Sequence, residues 1–329
     1  MLLATYCVLV LAASIAGGLL PTLVRLDHAR MQIALSLVAG VMFGVGVIHM
    51  LPHAIVLWQE SPAVLSAGGP DLHGGLDPIM LAVLLGFLVM FLLERFLAFH
   101  QHEPATEEGT ANRGGHRHGR RGGHSHAGHH HPAPVRSTSW LGALVGLAVH
   151  TILSGVALAA SVQAAIDHDP AAILAGFGVF LGVVLHKPFD AMTISMLMRS
   201  AGMTRGKILL ANAGFAMMVP VGIGVFELGI SGTSTQTSWT ALALAFSAGT
   251  FLCIALSDLL PELHFHDHDR LKLTGALILG IAIAWGTGWL EKATHQHDHG
   301  GAHGHDHSHD HDHDHDHDHD HDHDHDHAH

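Results

Sequence analysis

The chain has 329 residues, 48% of them hydrophobic and only 13% charged, against about a quarter charged in a soluble domain. That composition excludes an ordinary soluble globular fold and points to a membrane protein. The net charge of −13 describes an appendage, because eleven of the acidic groups are aspartates after His295 and the rest of the chain is close to neutral. Nucleic acid is therefore not among the expected partners.

Apolar stretches long enough to cross a bilayer, about 20 residues each, occupy 2–24, 33–57, 79–99, 140–162, 171–198, 208–230, 239–260 and 273–289. The first, "MLLATYCVLVLAASIAGGLLPTLV", lacks a basic leading region, and its apolar run is longer than that of a signal peptide. It is read as a first transmembrane helix. Cys7 and Cys253 both lie in apolar runs, so they are expected as buried thiols.

The second span reads "AGVMFGVGVIHMLPHA" from Ala39, with His49 and His53 one helical turn apart. After the third span comes a Gly-, His- and Arg-rich loop, 100–139. The fourth span carries "LAVHTILSGVALAA", placing His150 near mid-span and Ser154 a turn later. The fifth, "FGVFLGVVLHKPFDAMTISMLM", is interrupted at its centre by His186, Lys187, Pro188 and Asp190. The seventh reads "AGTFLCIALSDLLPEL" from Ala248, with Asp258 and Glu262 again one turn apart. After the eighth span the chain closes on "HDHSHDHDHDHDHDHDHDHDHDHAH".

Thirteen of the fifteen lysines and arginines follow odd-numbered spans: Arg25 and Arg30, then Arg95 to Arg136, then Arg199, Arg205 and Lys207, then Arg270 and Lys272. By the positive-inside rule they face the cytoplasm, which puts both termini outside. The His-rich loop is then cytoplasmic and the His/Asp tail extracytoplasmic. Neither can bury a core, so both are expected to be disordered, and alternating imidazole and carboxylate make them sinks for borderline metals. The organisation expected is 1–99 for spans one to three, 100–139 for the loop, 140–290 for spans four to eight, and 291–329 for the tail.

At a fixed offset the second and seventh spans match. Ala39-Gly40 aligns with Ala248-Gly249, His49 with Asp258, Leu51-Pro52 with Leu260-Pro261, and His53 with Glu262. The two spans run in opposite directions, as expected of an inverted repeat such as secondary transporters use. His49 and His53 would then face the outside, and Asp258 and Glu262 the cytoplasm. Between the repeats, His150, Ser154, His186 and Asp190 are polar groups at mid-membrane, which cost several kcal/mol unless paired or hydrated and so mark pathways. Two imidazoles, a carboxylate and a hydroxyl suit Zn²⁺, with water in an open position. Pro188 has no N–H for the carbonyl of Val184, which frees that group to kink the helix or face a cavity.

These residues resemble the ZIP (Zrt/Irt-like) family of metal-ion transporters over nearly all of the membrane part. "SAGTFLCIALSDLLPEL" is similar to the family's seventh-helix pattern and "HMLPHA" to the end of its second. On the fourth helix the family pattern His-Asn-x-x-(Glu/Asp)-Gly is here His150-Thr151-Ile152-Leu153-Ser154-Gly155, and on the fifth the chain has His186-Lys187-Pro188-Phe189-Asp190. The resemblance implies an all-α fold of eight helices in a 3+2+3 arrangement, helices 1–3 and 6–8 being inverted repeats around central helices 4 and 5. It also implies a primary metal site at His150, His186 and Asp190, with His49 as a neighbour. Where relatives with two metals supply ligands for the second, this chain has Thr151 and Lys187, and Ser154 replaces the acid shared between the sites. An ammonium there repels a second cation, so a single-metal site is expected. Lys187 either pairs with Asp190 or stands as a charge in the vacated site.

The function implied is inward movement of a divalent metal, zinc first, with Fe²⁺, Mn²⁺ and Cd²⁺ as further substrates, by alternating access. No cofactor is expected; the metal is the substrate. The partners are that ion and the lipid bilayer, with a homodimer as the candidate assembly, in the cell membrane or an inner membrane. Three other readings use the same residues: a zinc exporter of the cation-diffusion type, an intramembrane zinc hydrolase in which the metal activates water, and metal sensing or storage by the His-rich segments.

Overall fold

In the computed structural model, residues 1–23, 28–66, 77–97, 139–169, 172–230, 232, 235–265 and 270–295 are described. Loop positions 100–138 and the tail beyond His295 lie outside the described residues, as do Arg25 and the loop arginines. In lipid each backbone N–H and C=O must be satisfied within its own segment, so apolar runs of this length become helices. Accordingly, the described residues contain helices and turns and no strand.

Helix α1 is Leu2–Leu23. The second span is α2 (His28–Gly44), a π-helical turn (Val45–Met50) and α3 (Leu51–Gln59), followed by the short α4 (Pro62–Ser66). Pro52 has no N–H to return to the Ile48 carbonyl, and the helix widens into the π turn directly before it. The third to fifth spans are α5 (Asp77–Leu97), α6 (Ser139–His168) and α7 (Phe177–Ser200). The sixth is broken at Met217 into α8 (Arg205–Ala216) and α9 (Met218–Gly229), with Pro220 in the first turn of α9, where a missing N–H is tolerated. Helices α10 (Gln236–Phe265) and α11 (Arg270–His295) complete the eight spans.

Two boundaries differ from the sequence expectation. The fifth helix begins at Phe177 rather than 171, because 173–176 form a turn that ends on Gly176 at φ 70°. The fourth runs on to His168 rather than 162, its polar last turns held by Gln163 donating to Asp167 at 2.7 Å. Helix α7 continues through Pro188 and stops at Gly202 (φ 74°). There the N–H of Met203 bonds the Met198 carbonyl and that of Gly202 the Arg199 carbonyl, which satisfies the helix's last acceptors.

The helices pack in two groups. Helix α1 lies along α7, α6 along α9, and α7 also touches α6 and α8. In the other group α10 lies along α5, α2 and α3, and α11 lies along α2. The groups meet mainly where α10 crosses α6. Lipid gives no hydrophobic drive for helix association, so close backbone approach at small residues supplies the contact. A Cβ on Gly155 would run into the Val219 carbonyl, and one on Gly222 into the Ile152 carbonyl. The crossings of α2 with α11 (Gly40, Gly280), of α5 with α10 (Gly86, Gly249) and of α1 with α7 (Gly17 against Pro188) are equally tight. Tyr6 stacks on Phe180 with ring centroids 4.2 Å apart, a second tie between α1 and α7.

Candidate metal centre

Helices α6 and α7 bring His150, His186 and Asp190 together at mid-span. His186 and Asp190 are one turn apart on α7, and His150 faces them from α6. The two Nε2 atoms are 3.3 Å apart, and Asp190 Oδ2 is 3.6 Å from that of His150 and 3.7 Å from that of His186. Among the described residues this is the one group of three or more His, Cys, Asp or Glu whose ligand atoms converge, all within 4.8 Å. Tetrahedral zinc with bonds of 2.0–2.1 Å sets its ligands about 3.3 Å apart, so the triangle needs to tighten by only a few tenths of an ångström.

The hydrogen bonds favour ligation. His186 Nδ1 lies 2.8 Å from the Gly182 carbonyl. A carbonyl only accepts, so Nδ1 carries the proton and the Nε2 lone pair points at the other two donors. His150 Nδ1 is buried with no hydrogen-bond partner, which leaves that ring able to take either tautomer. Phe251 of α10 closes the site edge-on over His186, centroids 6.1 Å apart.

Lys187 is fully buried. Its Nζ donates to Asp190 Oδ2 at 2.8 Å and to Thr151 Oγ1 at 3.0 Å, and it lies 5.4 Å from the centre of the Phe215 ring. Thr151 itself donates to the Leu147 carbonyl at 2.7 Å, so its free lone pairs face the ammonium. The pairing with Asp190 and the position beside the metal triangle are therefore properties of one geometry. Two neutral imidazoles, one carboxylate and one ammonium carry no net charge. A divalent ion placed there would meet three donors and one cation, a balance that would favour reversible binding.

The remaining sequence candidates lie elsewhere. Ser154 is buried a turn from His150, its hydroxyl donating to the His150 carbonyl at 3.0 Å. His49 stands apart from the triangle and faces α11, with Nε2 2.7 Å from the Ala284 carbonyl. His53 is exposed one turn further along. Asp258 and Glu262 are on α10, and their side chains lie outside the described residues. Two acids were passed over in the sequence. Glu94 of α5 accepts a hydrogen bond from Ser257 of α10 at 3.1 Å, and Glu291 of α11 lies 3.4 Å from His49. Each precedes a cation, Arg95 or Lys292, and so reads as an interfacial pair at a helix end.

The family model described as ZIP Zinc transporter matches residues 2–288. The chain is similar to the zinc transporter ZIP9 of Xenopus tropicalis, 25% identical over 285 residues that cover 79% of this chain and 84% of the relative. It is also similar to zinc transporter ZIP1 of Bos taurus, 27% identical with 78% and 79% covered, and to zinc transporter ZIP4 of Rattus norvegicus, 27% identical with 72% and 39% covered. With eight apolar helices among the described residues long enough to span a bilayer and a match along nearly its whole membrane part, the chain is an integral multi-pass membrane protein that belongs to the ZIP zinc transporter family.

Proposed function

We propose that the protein carries Zn²⁺ into the cytoplasm by alternating access around a single site formed by His150, His186 and Asp190. The observation that carries this is the convergence of those three donors, within 4.8 Å, at the centre of two membrane helices. Water completes the ion's shell, and Lys187 fills the place of a second ion. Fe²⁺, Mn²⁺ and Cd²⁺ fit the same donors, because supply and geometry decide among them more than ligand type does.

The packing supports a moving unit. All three donors belong to the group of α1, α6, α7 and α8–α9, so that group can carry the ion as a body past the other. The close-packed pairs also exchange under the inverted repeat: α2 on α11 answers to α10 on α5, and α1 on α7 to α9 on α6. Gly40 and Gly249, aligned by the repeat, both sit at such crossings. This supports the 3+2+3 reading. The positive-inside rule gives direction: the charged loops are cytoplasmic, both termini lie outside, and His49 and His53 are on the uptake side, Asp258 and Glu262 on the release side. Asp190, the donor nearest the cytoplasmic end, is also the least buried of the three.

The rival readings lose their footing with the family. A six-helix exporter of the cation-diffusion type does not match eight spans, and the family is one of transporters rather than hydrolases. Uptake of zinc, iron and manganese into proteoliposomes tests the proposal. Wild type should accumulate zinc and H150A/H186A should not; equal flux in the double variant refutes the site.

A further inference from the structure

Helix α7, which carries His186 and Asp190, starts without a cap of its own. Gly176 stands before it at φ 70° and offers no side chain, so the N–H groups of the first turn need an acceptor from elsewhere. One comes from the other helix group: the Gly178 N–H donates to Glu291 Oε1 of α11 at 3.0 Å. The positive end of the α7 dipole favours a carboxylate at that place. Glu291 is held from its own side, with Oε2 3.4 Å from His49 Nδ1, and His49 is anchored in turn by Nε2, 2.7 Å from the Ala284 carbonyl.

The imidazole also fills the space between the groups. A Cβ on Gly178 would come within 3.0 Å of His49 Nδ1, so ring and α7 backbone are in direct contact. A second pair crosses between the groups, His168 Nδ1 of α6 lying 4.0 Å from Glu60 Oε2, but both side chains are more than half exposed. Such a pair contributes little. Glu291 is mostly buried, which makes its bond to Gly178 the stronger tie. The positive-inside rule puts this end outside. Asp190, the donor nearest the opposite end, is the least buried of the central three, so the site opens away from the tie.

We propose that Glu291 is an outer latch: its bond to the Gly178 N–H, with the His49 ring wedged beside it, shuts the extracytoplasmic mouth in this conformation. Metal enters only after α7 has left Glu291. The proposal rests on the transport reading and names a contact that the alternating motion must break. Gly178 lies eight residues before His186 on one helix, about 12 Å at 1.5 Å per residue. Release at the latch therefore moves the segment that bears two of the three central donors.

Two measurements on the full chain test this. Spin labels at Q59C and I173C, both exposed at the outer end and one in each group, read the width of the mouth in the C7S/C253A background. A single short distance should dominate, and E291Q should add a longer one, because an amide forms a weaker bond than a carboxylate. G178A presses a methyl against His49 and should widen the mouth too. Unchanged distances in both variants overturn the latch. In proteoliposomes E291Q should lower KM for external zinc about threefold or more, because a larger fraction of the protein is open to it. A KM that is unchanged or raised also overturns the latch and leaves the transport reading standing. Absence of zinc uptake by wild type, with the longer distance present in E291Q, strikes that reading and not the latch.

Discussion

Lys187 Nζ sits 2.8 Å from Asp190 Oδ2, the same oxygen that completes the triangle with His150 and His186. In the proposed mechanism this one carboxylate oxygen would serve two cations, one tethered and one transported. An ion that binds Oδ2 must share it with the ammonium or displace it.

Removing only the carboxylate leaves a fully buried ammonium unpaired. D190N is expected to destabilise the protein by about 3–5 kcal/mol, the cost of breaking one side of a buried pair. K187M/D190N should recover most of that loss, and neither variant should transport zinc. Thermal denaturation in detergent reads the first effect and vesicle uptake the second. If the double variant is as unstable as D190N, the pair is not what holds these two turns together.

K187M alone removes the competitor for Oδ2. The ion should then bind more tightly and leave more slowly, so KM and Vmax for zinc fall together. An unchanged pair of constants would reduce Lys187 to a packing residue.

The crossing of α6 on α9 depends on carbonyl approach at Gly155 and Gly222. G222A forces a methyl into the Ile152 carbonyl and is expected to cost about 1–3 kcal/mol, as overpacking does. Gly206 has nothing within 4 Å of an added Cβ, so G206A should be neutral or slightly stabilising. Melting temperatures of the two variants give the comparison, and equal shifts would mean that the crossing is not tight.

Deleting 296–329 removes the His/Asp tail and leaves every helix residue in place. Flux at saturating zinc should be unchanged, with any loss confined to low zinc. Loss of flux at saturation would favour the storage reading.

The sequence determined the eight spans, because apolar length alone commits a segment to crossing lipid as a helix. It also marked the three groups that converge, since His150, His186 and Asp190 are costly at mid-membrane unless paired, and the i,i+4 spacing puts His186 and Asp190 on one face. Helix pairing stayed hidden. In water an apolar stripe shows which face is buried, but lipid and protein interior are equally apolar, so α5 and α11 expose Leu84, Leu88, Ile278 and Leu279 without any sequence mark of it. Only the tertiary structure set Gly40 against α11 and Gly155 against α9, gave Lys187 to both Asp190 and Thr151, and turned His49 away from the central triangle toward Glu291. Those contacts join residues as far apart as 49 and 291. They are fixed by carbonyl approach and by lone-pair direction, neither of which local spacing along the chain records.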